Sequence, residues 1–188
     1  MAAVRSFIAL DLPPTVKRAL EDVAVRLSGT LDAVRWVKSE NIHLTLKFLG
    51  DVQEDRFPDL QDAIDRVGTA FGPIQLGLDA VGAFPSPGRA RVIWVGLSGD
   101  LLQLNRMHLE MDSAALECGF EPETRPFRPH LTLGRSRSAT VSLPDVDQMV
   151  SPILFEAARL RLIRSDLGRR GARYTDLHSA VLKRRRTI

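Results

Sequence analysis

The tetrapeptide His-Leu-Thr-Leu occurs twice in the chain, at residues 43–46 and 130–133. The chain has 4 histidines, and half of them lie in this one context. In a β-strand, residues i and i+2 point to one face, and the residues between them point to the other. Each copy therefore predicts a strand with His and Thr on one face and two Leu side chains in a core.

The repeated polar face predicts acid–base chemistry. An imidazole exchanges a proton near pH 7, and a Thr hydroxyl can donate a hydrogen bond. His43 and His130 can supply an acid and a base to one reacting group, with Thr45 and Thr132 as donors beside them. A single His in an apolar strand is more often structural, and the repetition favours catalysis. We expect the two imidazoles to face each other across a cleft.

Composition indicates a soluble globular protein of ordinary make-up, because 44% of its 188 residues are hydrophobic and 26% are charged. No apolar run approaches the ~20 residues that span a bilayer, and the first residues lack the apolar core of a signal peptide. Cys118 is the only cysteine, which excludes an internal disulfide and a Cys-based metal site. These features predict a cytoplasmic protein.

The positive charge is unevenly distributed. Residues 95–188 carry 15 basic and 11 acidic groups, whereas residues 1–94 carry 11 basic and 12 acidic groups. Arg outnumbers Lys by 22 to 4. Arginine suits bidentate contact with phosphate and can stack on bases, although a GC-rich genome also raises the number of Arg codons.

Hydrophobic spacing and turn residues predict alternating strands and helices. The two halves share an order of helix, His-x-Thr strand and paired strands, with no long linker between them. The predicted fold class is α+β, a bilobal pseudo-two-fold arrangement of two mainly antiparallel sheets that flank a central cleft, with helices on the outer faces. Residues 1–188 are expected to form a single two-lobed domain. The predicted strands are 5–12, 34–37, 41–49, 74–84, 90–97, 127–135, 153–166 and 172–182, and the predicted helices are 15–27, 53–71, 100–118 and a short 143–150.

At this point the sequence resembles a known family, the two-histidine phosphoesterases, and within it the RNA 2′,3′-cyclic phosphodiesterases, also called 2′-5′ RNA ligase-like proteins. The resemblance covers nearly the whole chain. It rests on RSFIALDLP at 5–13, WVKSENIHLTLKFLG at 36–50, FRPHLTLGR at 127–135 and the closing YTDLHSAVL at 174–182. It implies a bilobal pseudo-symmetric fold and hydrolysis of RNA 2′,3′-cyclic phosphodiester ends without a metal or other cofactor.

The resemblance also implies a role for each motif residue. His43 would protonate the leaving 3′ oxygen, and His130 would activate water, so that the product is a 2′-phosphate. Thr45 and Thr132 would bind the substrate phosphate. The physics of the residues leaves the acid and base roles open, since the two exchange in the reverse direction. The expected partner is an RNA with a 2′,3′-cyclic phosphate end, including tRNA fragments, and a monomer that binds no membrane is expected.

Several further residues are weaker candidates. Arg135 lies five residues after His130 and is a candidate for contact with phosphate or base. Phe48 could stack on a base, but it lies an odd number of residues from His43, so a regular strand would turn it toward the core. His108 and His178 are expected to be structural. Tyr174 could reach the substrate, although nothing in its context requires it.

Alternatives to hydrolysis of RNA ends stay open. The same chemistry in reverse would join a 2′,3′-cyclic phosphate to a 5′-hydroxyl. The substrate could be a small cyclic nucleotide such as an ADP-ribose cyclic phosphate. A non-catalytic module that binds RNA ends would not require intact His and Thr in both motifs. A metalloenzyme is disfavoured because two distant histidines make a thin set of ligands.

Overall fold

The computed structural model describes residues 3–137, 140–168 and 171–183. Its strands are β1 (Ala3–Leu10), β2 (Val34–Trp36), β3 (Leu44–Gln53), β4 (Ile74–Phe84), β5 (Val92–Gly99), β6 (His130–Ser136), β7 (Leu154–Ala157), β8 (Arg159–Gly168) and β9 (Gly171–Val181). Its α-helices are α1 (Pro14–Ser28), α2 (Phe57–Ala70) and α3 (Leu101–Glu117). Short 3-10 turns precede β3, α2 and β5.

The strands form two antiparallel sheets, which confirms the predicted fold class. Sheet 1 has the strand order β3-β1-β8-β9, and sheet 2 has the order β2-β6-β5-β4-β7. Each sheet mixes strands from both ends of the chain. β2 lies in sheet 2 beside β6, whereas β1 and β3 pair with each other in sheet 1. The two motif strands therefore lie in different sheets.

One main apolar core joins both sheets and all three helices. Helix α1 begins at Pro14 and buries one stripe of side chains, and α3 begins after Asp100, whose carboxylate accepts a hydrogen bond from the Gln103 amide. A second, smaller cluster lies apart from this core. It consists of Phe7, Ala9 and Ile163, with Tyr174 packed against it. Because Ile8 and Leu10 belong to the main core, β1 is buried on both faces.

Two predictions of secondary structure were wrong. Residues 143–150 do not form a helix, and Gln148 there has a positive φ of 58°. Residues 153–166 are not one strand, because β7 pairs with β4 in sheet 2 and β8 pairs with β1 in sheet 1. The chain passes from sheet 2 to sheet 1 at Ala158, and this position has no glycine or proline from which a break could have been predicted. The pairing of β8 with β9 is confirmed, and residues 169 and 170 of its connection lie outside the described residues.

A buried ion pair attaches α3 to strand β3. Lys47 is only 3% exposed, and its Nζ lies 2.5 Å from Oδ1 of Asp112. Lys47 also donates to the Glu121 carbonyl, while Asp112 accepts from the Glu123 amide. The pair thus holds β3, α3 and the segment that leads toward His130 in one arrangement.

We predict that breaking this pair costs far more stability than breaking an exposed one. Lys47→Met should lower the free energy of unfolding by about 3 kcal/mol, because it leaves a largely buried carboxylate without its cation. Arg66→Met removes the Arg66–Glu117 pair, whose side chains are 62% and 63% exposed, and should cost less than about 1 kcal/mol. Urea unfolding of both variants measures the difference. Equal losses would contradict the prediction.

Candidate active site

The two motif histidines make equivalent hydrogen bonds through Nδ1. Nδ1 of His43 lies 2.8 Å from the carbonyl oxygen of Asn41, and Nδ1 of His130 lies 2.7 Å from that of Arg128. A carbonyl oxygen only accepts, so each Nδ1 carries the hydrogen. In a neutral ring, Nε2 is then the basic nitrogen. In both motifs a carbonyl two residues back therefore leaves Nε2 to exchange the proton.

Aromatic side chains pack against His43 on sheet 1. The ring of Phe7 stacks on the imidazole with centroids 4.5 Å apart and 26° between the planes. Tyr174 approaches the imidazole edge-on at 5.2 Å and also contacts Phe7 at 5.1 Å. These contacts fix the plane of the ring whose Nδ1 is already held. Tyr174 thus lies beside His43, which its sequence context does not require.

His130 has a comparable setting on sheet 2. Phe84 meets its imidazole edge-on at 5.1 Å, and Trp94 lies 6.2 Å from it. Gly82 makes this possible, because a Cβ there would lie 2.2 Å from the Trp94 ring. The absence of a side chain lets the indole lie over the strand.

Burial lowers the pKa of both histidines. For His43, burial is the main cause, and the pKa falls from 6.5 to about 4. The hydrogen bond to Asn41 opposes this fall, whereas the nearby charges of Lys17 and two arginines add to it. For His130, burial also lowers the pKa most, against the hydrogen bond to Arg128. Both imidazoles are therefore neutral at pH 7 in the free protein.

Arg135 acts on side chains from both halves of the chain. Its positive charge lowers the pKa of His43 and of His130, in each case as a smaller influence than burial. It also acts on Tyr174, whose pKa burial raises. The guanidinium of Arg135 therefore lies within electrostatic reach of both motif histidines, where an anionic group would find positive charge.

Matching β-bulges follow the two motifs. Between β1 and β3, Ala9 pairs with Thr45 and Ile8 with Lys47, so Leu46 is an extra residue. Between β5 and β6, Trp94 pairs with Thr132 and Ile93 with Gly134, so Leu133 is extra. Each bulge leaves two consecutive residues buried, Leu46 with Lys47 and Leu133 with Gly134. The alternation of faces shifts by one residue at the same place in both motifs.

The shift places the fifth residue after each His on the His–Thr face. In the first motif this residue is Phe48, and in the second it is Arg135. The expectation that Phe48 packs in the core was wrong. Its side chain is 62% exposed, and its ring lies 6.2 Å from Phe7, which in turn stacks on His43. A bulge changes the parity of the residues that directly follow it in its strand, and Phe48 follows the bulge at Leu46 by two residues.

The predicted site residues divide between the two sheets. His43 directly precedes β3 and lies with Thr45 on sheet 1, whereas His130 and Thr132 belong to β6 in sheet 2. Both threonines are partly buried, and their hydroxyls lie on the faces of their histidines. That the two imidazoles face one another across a cleft stays a prediction. No group of three or more His, Cys, Asp or Glu suited to a metal occurs in the described ranges.

The other two histidines have structural partners, as expected. His108 is buried, its Nδ1 lies 2.9 Å from the Leu46 carbonyl, and its ring stacks on Phe127 at 4.1 Å. His178 lies 2.8 Å from Oδ1 of Asp65 and joins β9 to α2. His108 therefore binds the extra residue of the first bulge and supports that irregularity from behind.

Comparison with known proteins identifies the family. The profile of the LigT-like phosphoesterases matches twice, over residues 10–94 and 95–174, and each match contains one His-x-Thr motif. The chain belongs to the LigT-like phosphoesterase family. Two tandem matches agree with the repeated hydrogen bonds and bulges, and they support an arrangement of two related halves.

Individual relatives cover almost the whole chain. An Archaeoglobus fulgidus RNA 2′,3′-cyclic phosphodiesterase is 31% identical over 93% of this chain and 98% of its own length. An Escherichia coli protein of that name is 31% identical over 92% and 93%. A crystal structure of a Thermus thermophilus protein matches with a TM-score of 0.83 at 27% identity, over 95% and 97%. Escherichia coli LigT with 3′-AMP matches with a TM-score of 0.78 at 28%, over 97% and 99%.

The low pKa of His43 predicts a loss of stability on acidification. The folded pKa of about 4 lies below the ordinary 6.5, so the unfolded chain binds more protons between these values. The stabilisation is complete above pH 6.5 and is lost as the pH falls toward 4. It amounts to at most about 3 kcal/mol. Chemical denaturation of wild type and His43→Gln from about pH 7.5 to about pH 4.5 is the measurement, in roughly half-unit steps.

The comparison isolates one group, because the glutamine variant keeps the charges of all other residues and removes the titrating ring. The free energy of unfolding of wild type minus that of His43→Gln should fall as the pH falls. A difference that stays constant over this range would contradict the low pKa of His43.

Proposed function

We propose that the protein hydrolyses RNA 2′,3′-cyclic phosphodiester ends to 2′-phosphomonoesters with His43 and His130 as the acid and the base. The supporting observation is the matched pair of hydrogen bonds to Nδ1, which leaves a proton-exchanging Nε2 in each motif. The names of the Archaeoglobus and Escherichia relatives support the same substrate class. Residues 1–188 would act as one two-lobed catalytic domain.

In the proposed reaction, water attacks the phosphorus while Nε2 of His130 takes a proton from it. The bond from phosphorus to the 3′ oxygen breaks, and Nε2 of His43 gives its proton to that oxygen. The product has a 2′-phosphate and a 3′-hydroxyl, and a net proton transfer from His130 to His43 restores the starting state. A positioned acid or base of this kind contributes about 10²–10⁴-fold each.

Binding of the substrate would favour the protonated form of His43, which the free protein lacks at pH 7. With a pKa of about 4, His43 is neutral at pH 7 and cannot serve as an acid. A cyclic phosphodiester carries a negative charge, and an opposite charge close to an imidazole favours its protonated form. Binding would therefore load His43 with the proton that it later donates. Arg135 would attract the phosphate, and Thr45 and Thr132 would donate to its non-bridging oxygens, where charge grows in the transition state.

Two extensions use the same residues. The reverse reaction would join a cyclic phosphate end to a 5′-hydroxyl, since acid and base exchange roles in reverse. A small cyclic nucleotide is the second candidate substrate, because the Escherichia coli relative has been crystallised with the mononucleotide 3′-AMP. RNA ends, tRNA fragments among them, remain the proposed natural substrates of a cytoplasmic monomer. No described helix is both long and apolar enough to cross a membrane.

We predict that the two histidines act as a unit. His43→Ala and His130→Ala should each lower kcat by about 10²–10⁴-fold, and the double variant should lose little more, because either loss breaks the same proton transfer. Thr45→Val and Thr132→Val should each cost less, since the acid–base pair remains. Steady-state kinetics, with circular dichroism to confirm folding, is the measurement. Near wild-type turnover by folded His43→Ala would contradict the proposed acid–base mechanism.

We predict that the product is a 2′-phosphate and that it forms in the presence of EDTA. The two imidazoles, two hydroxyls and one guanidinium supply an acid, a base and neutralising donors without a metal. The assay uses an oligonucleotide with a 2′,3′-cyclic phosphate end and identifies the terminal phosphate by ³¹P NMR. A 3′-phosphate product would show that the 2′ oxygen is the leaving group, contrary to the proposal. Tight binding without turnover would instead indicate the module that only binds RNA ends.

A further inference from the structure

Strand β2 brings one arginine to the face of sheet 2 that carries the second motif. β2 is a three-residue edge strand from the first half of the chain, and it pairs with β6 from the second half. Its register places Arg35 directly opposite Arg135. Residues that lie directly opposite each other in an antiparallel pair share one face of the sheet. Arg35 therefore lies on the His–Thr face, together with Arg135 and His130.

The close approach of β2 to β6 depends on Gly134. A Cβ at this position would lie 2.6 Å from Cγ1 of Val34 and 3.0 Å from Cε3 of Trp36, the two residues on either side of Arg35. Val34 is buried, and Trp36 packs against the main core. Because side chains alternate along a strand, Arg35 is the one residue of β2 on the site face.

Arg35 and Arg135 lie opposite each other without a carboxylate between them. The Cβ atoms of such a pair are about 4.5–5.5 Å apart, and like charges at this spacing destabilise a sheet. Both side chains are exposed, and neither guanidinium forms an ion pair or a hydrogen bond with another described residue. Arg161 of sheet 1, by contrast, is paired with two aspartates. An anion bound at the two free guanidinium groups would relieve their repulsion.

The cyclic phosphate alone does not account for both arginines. Arg135 acts electrostatically on both motif histidines, whereas Arg35 is not among the charges that act on either. Arg35 therefore lies farther from the reacting groups, on the edge strand beside β6. An RNA chain carries a further negative charge at each internucleotide linkage, and the nearest one is a single ribose away from the cyclic end. The planar fork of a guanidinium matches the two non-bridging oxygens of such a phosphate.

We propose that Arg35 binds the internucleotide phosphate directly 5′ of the terminal nucleotide, while Arg135 contacts the cyclic phosphate. This inference rests on the proposed function for the position of the cyclic phosphate between His43 and His130. A mononucleotide cyclic phosphate leaves Arg35 without an anion, so full affinity requires an oligonucleotide. The preferred substrate is therefore the end of an RNA chain, and a small cyclic nucleotide binds more weakly.

Two matched RNA substrates test the contact. Both are hexanucleotides that end in a 2′,3′-cyclic phosphate and carry a 2′-O-methyl group on the penultimate ribose. They differ only at the last internucleotide linkage, which is a charged phosphodiester in one and a neutral methylphosphonate in the other. The readout is the ratio of the two kcat/KM values. A purely structural defect lowers both values and leaves this ratio unchanged.

Wild type should prefer the phosphodiester substrate by about tenfold, as expected for a hydrogen bond between charged groups. Arg35→Gln should lose most of this preference, because the glutamine amide is neutral. Arg106→Gln is the matched control. It removes the same charge from an exposed position of α3, which belongs to neither sheet, and it should keep the preference of wild type.

The salt dependence of binding gives a second, independent readout. Each phosphate of a single strand that the protein neutralises contributes about 0.7 to the slope of log affinity against log salt concentration. The probes are the same two hexanucleotides with a 2′-phosphate end and a 5′ fluorophore, followed by fluorescence anisotropy. With the phosphodiester probe, the slope for Arg35→Gln should be smaller than that for wild type by about 0.7. With the methylphosphonate probe, the two proteins should have equal slopes.

The outcomes separate the two proposals. Equal preference in Arg35→Gln and wild type, or no preference in wild type, overturns the phosphate subsite and leaves hydrolysis intact. An equal loss of preference in Arg106→Gln shows a general effect of charge and also overturns the subsite. Binding of the 2′-phosphate probes that prefers the phosphodiester through Arg35, without turnover of the cyclic substrates, overturns the proposed hydrolysis and leaves the subsite. Absence of any binding or turnover by folded wild type overturns both.

Discussion

A β-strand presents only every second side chain to a given face, and the candidate site depends on how this chain departs from that constraint. His and Thr at positions i and i+2 share a face without difficulty. The fifth residue after each His does not, unless one extra residue is inserted. Both motif strands insert it at the third residue after the His, Leu46 in β3 and Leu133 in β6. The bulges thus add a ring on one side and a guanidinium on the other to an otherwise symmetrical set of groups.

The motif residues and the fold class could be predicted because they depend on local, periodic patterns. Alternating Leu residues around His43 and His130 define strands, and the apolar stripe of α1 defines a helix. The bulges could not be predicted, because they depend on contacts between distant segments, such as His108 with the Leu46 carbonyl. The same reason explains the change of sheet at Ala158. Its neighbours form a continuous apolar pattern, and only the partners β4 and β1 divide it into two strands.

The electrostatics of the site favour the binding of an anion. Two neutral imidazoles lie near arginine, and the positive charges around His43 lower its pKa beyond the effect of burial. In the free protein, these positive charges disfavour protonation of the imidazoles. It favours a ligand that brings negative charge, since the ligand relieves the repulsion among the cations and stabilises imidazolium at the same time. Binding and protonation of the site are therefore coupled, and a neutral analogue would gain neither effect.

The small differences between the two halves bear on which histidine is the acid. His43 is influenced by Lys17, Arg161 and Arg135, whereas Arg135 is the only charge that acts on His130 among the described influences. An imidazolium with more positive neighbours is the stronger acid, and it transfers its proton more readily once the substrate has allowed it to form. The less perturbed ring is the better base. In the proposed roles, His43 as donor depends more than His130 on the negative charge of the substrate, and this asymmetry arises from residues outside the repeated motif. The repeated motif supplies two equivalent imidazoles, and their surroundings make them unequal.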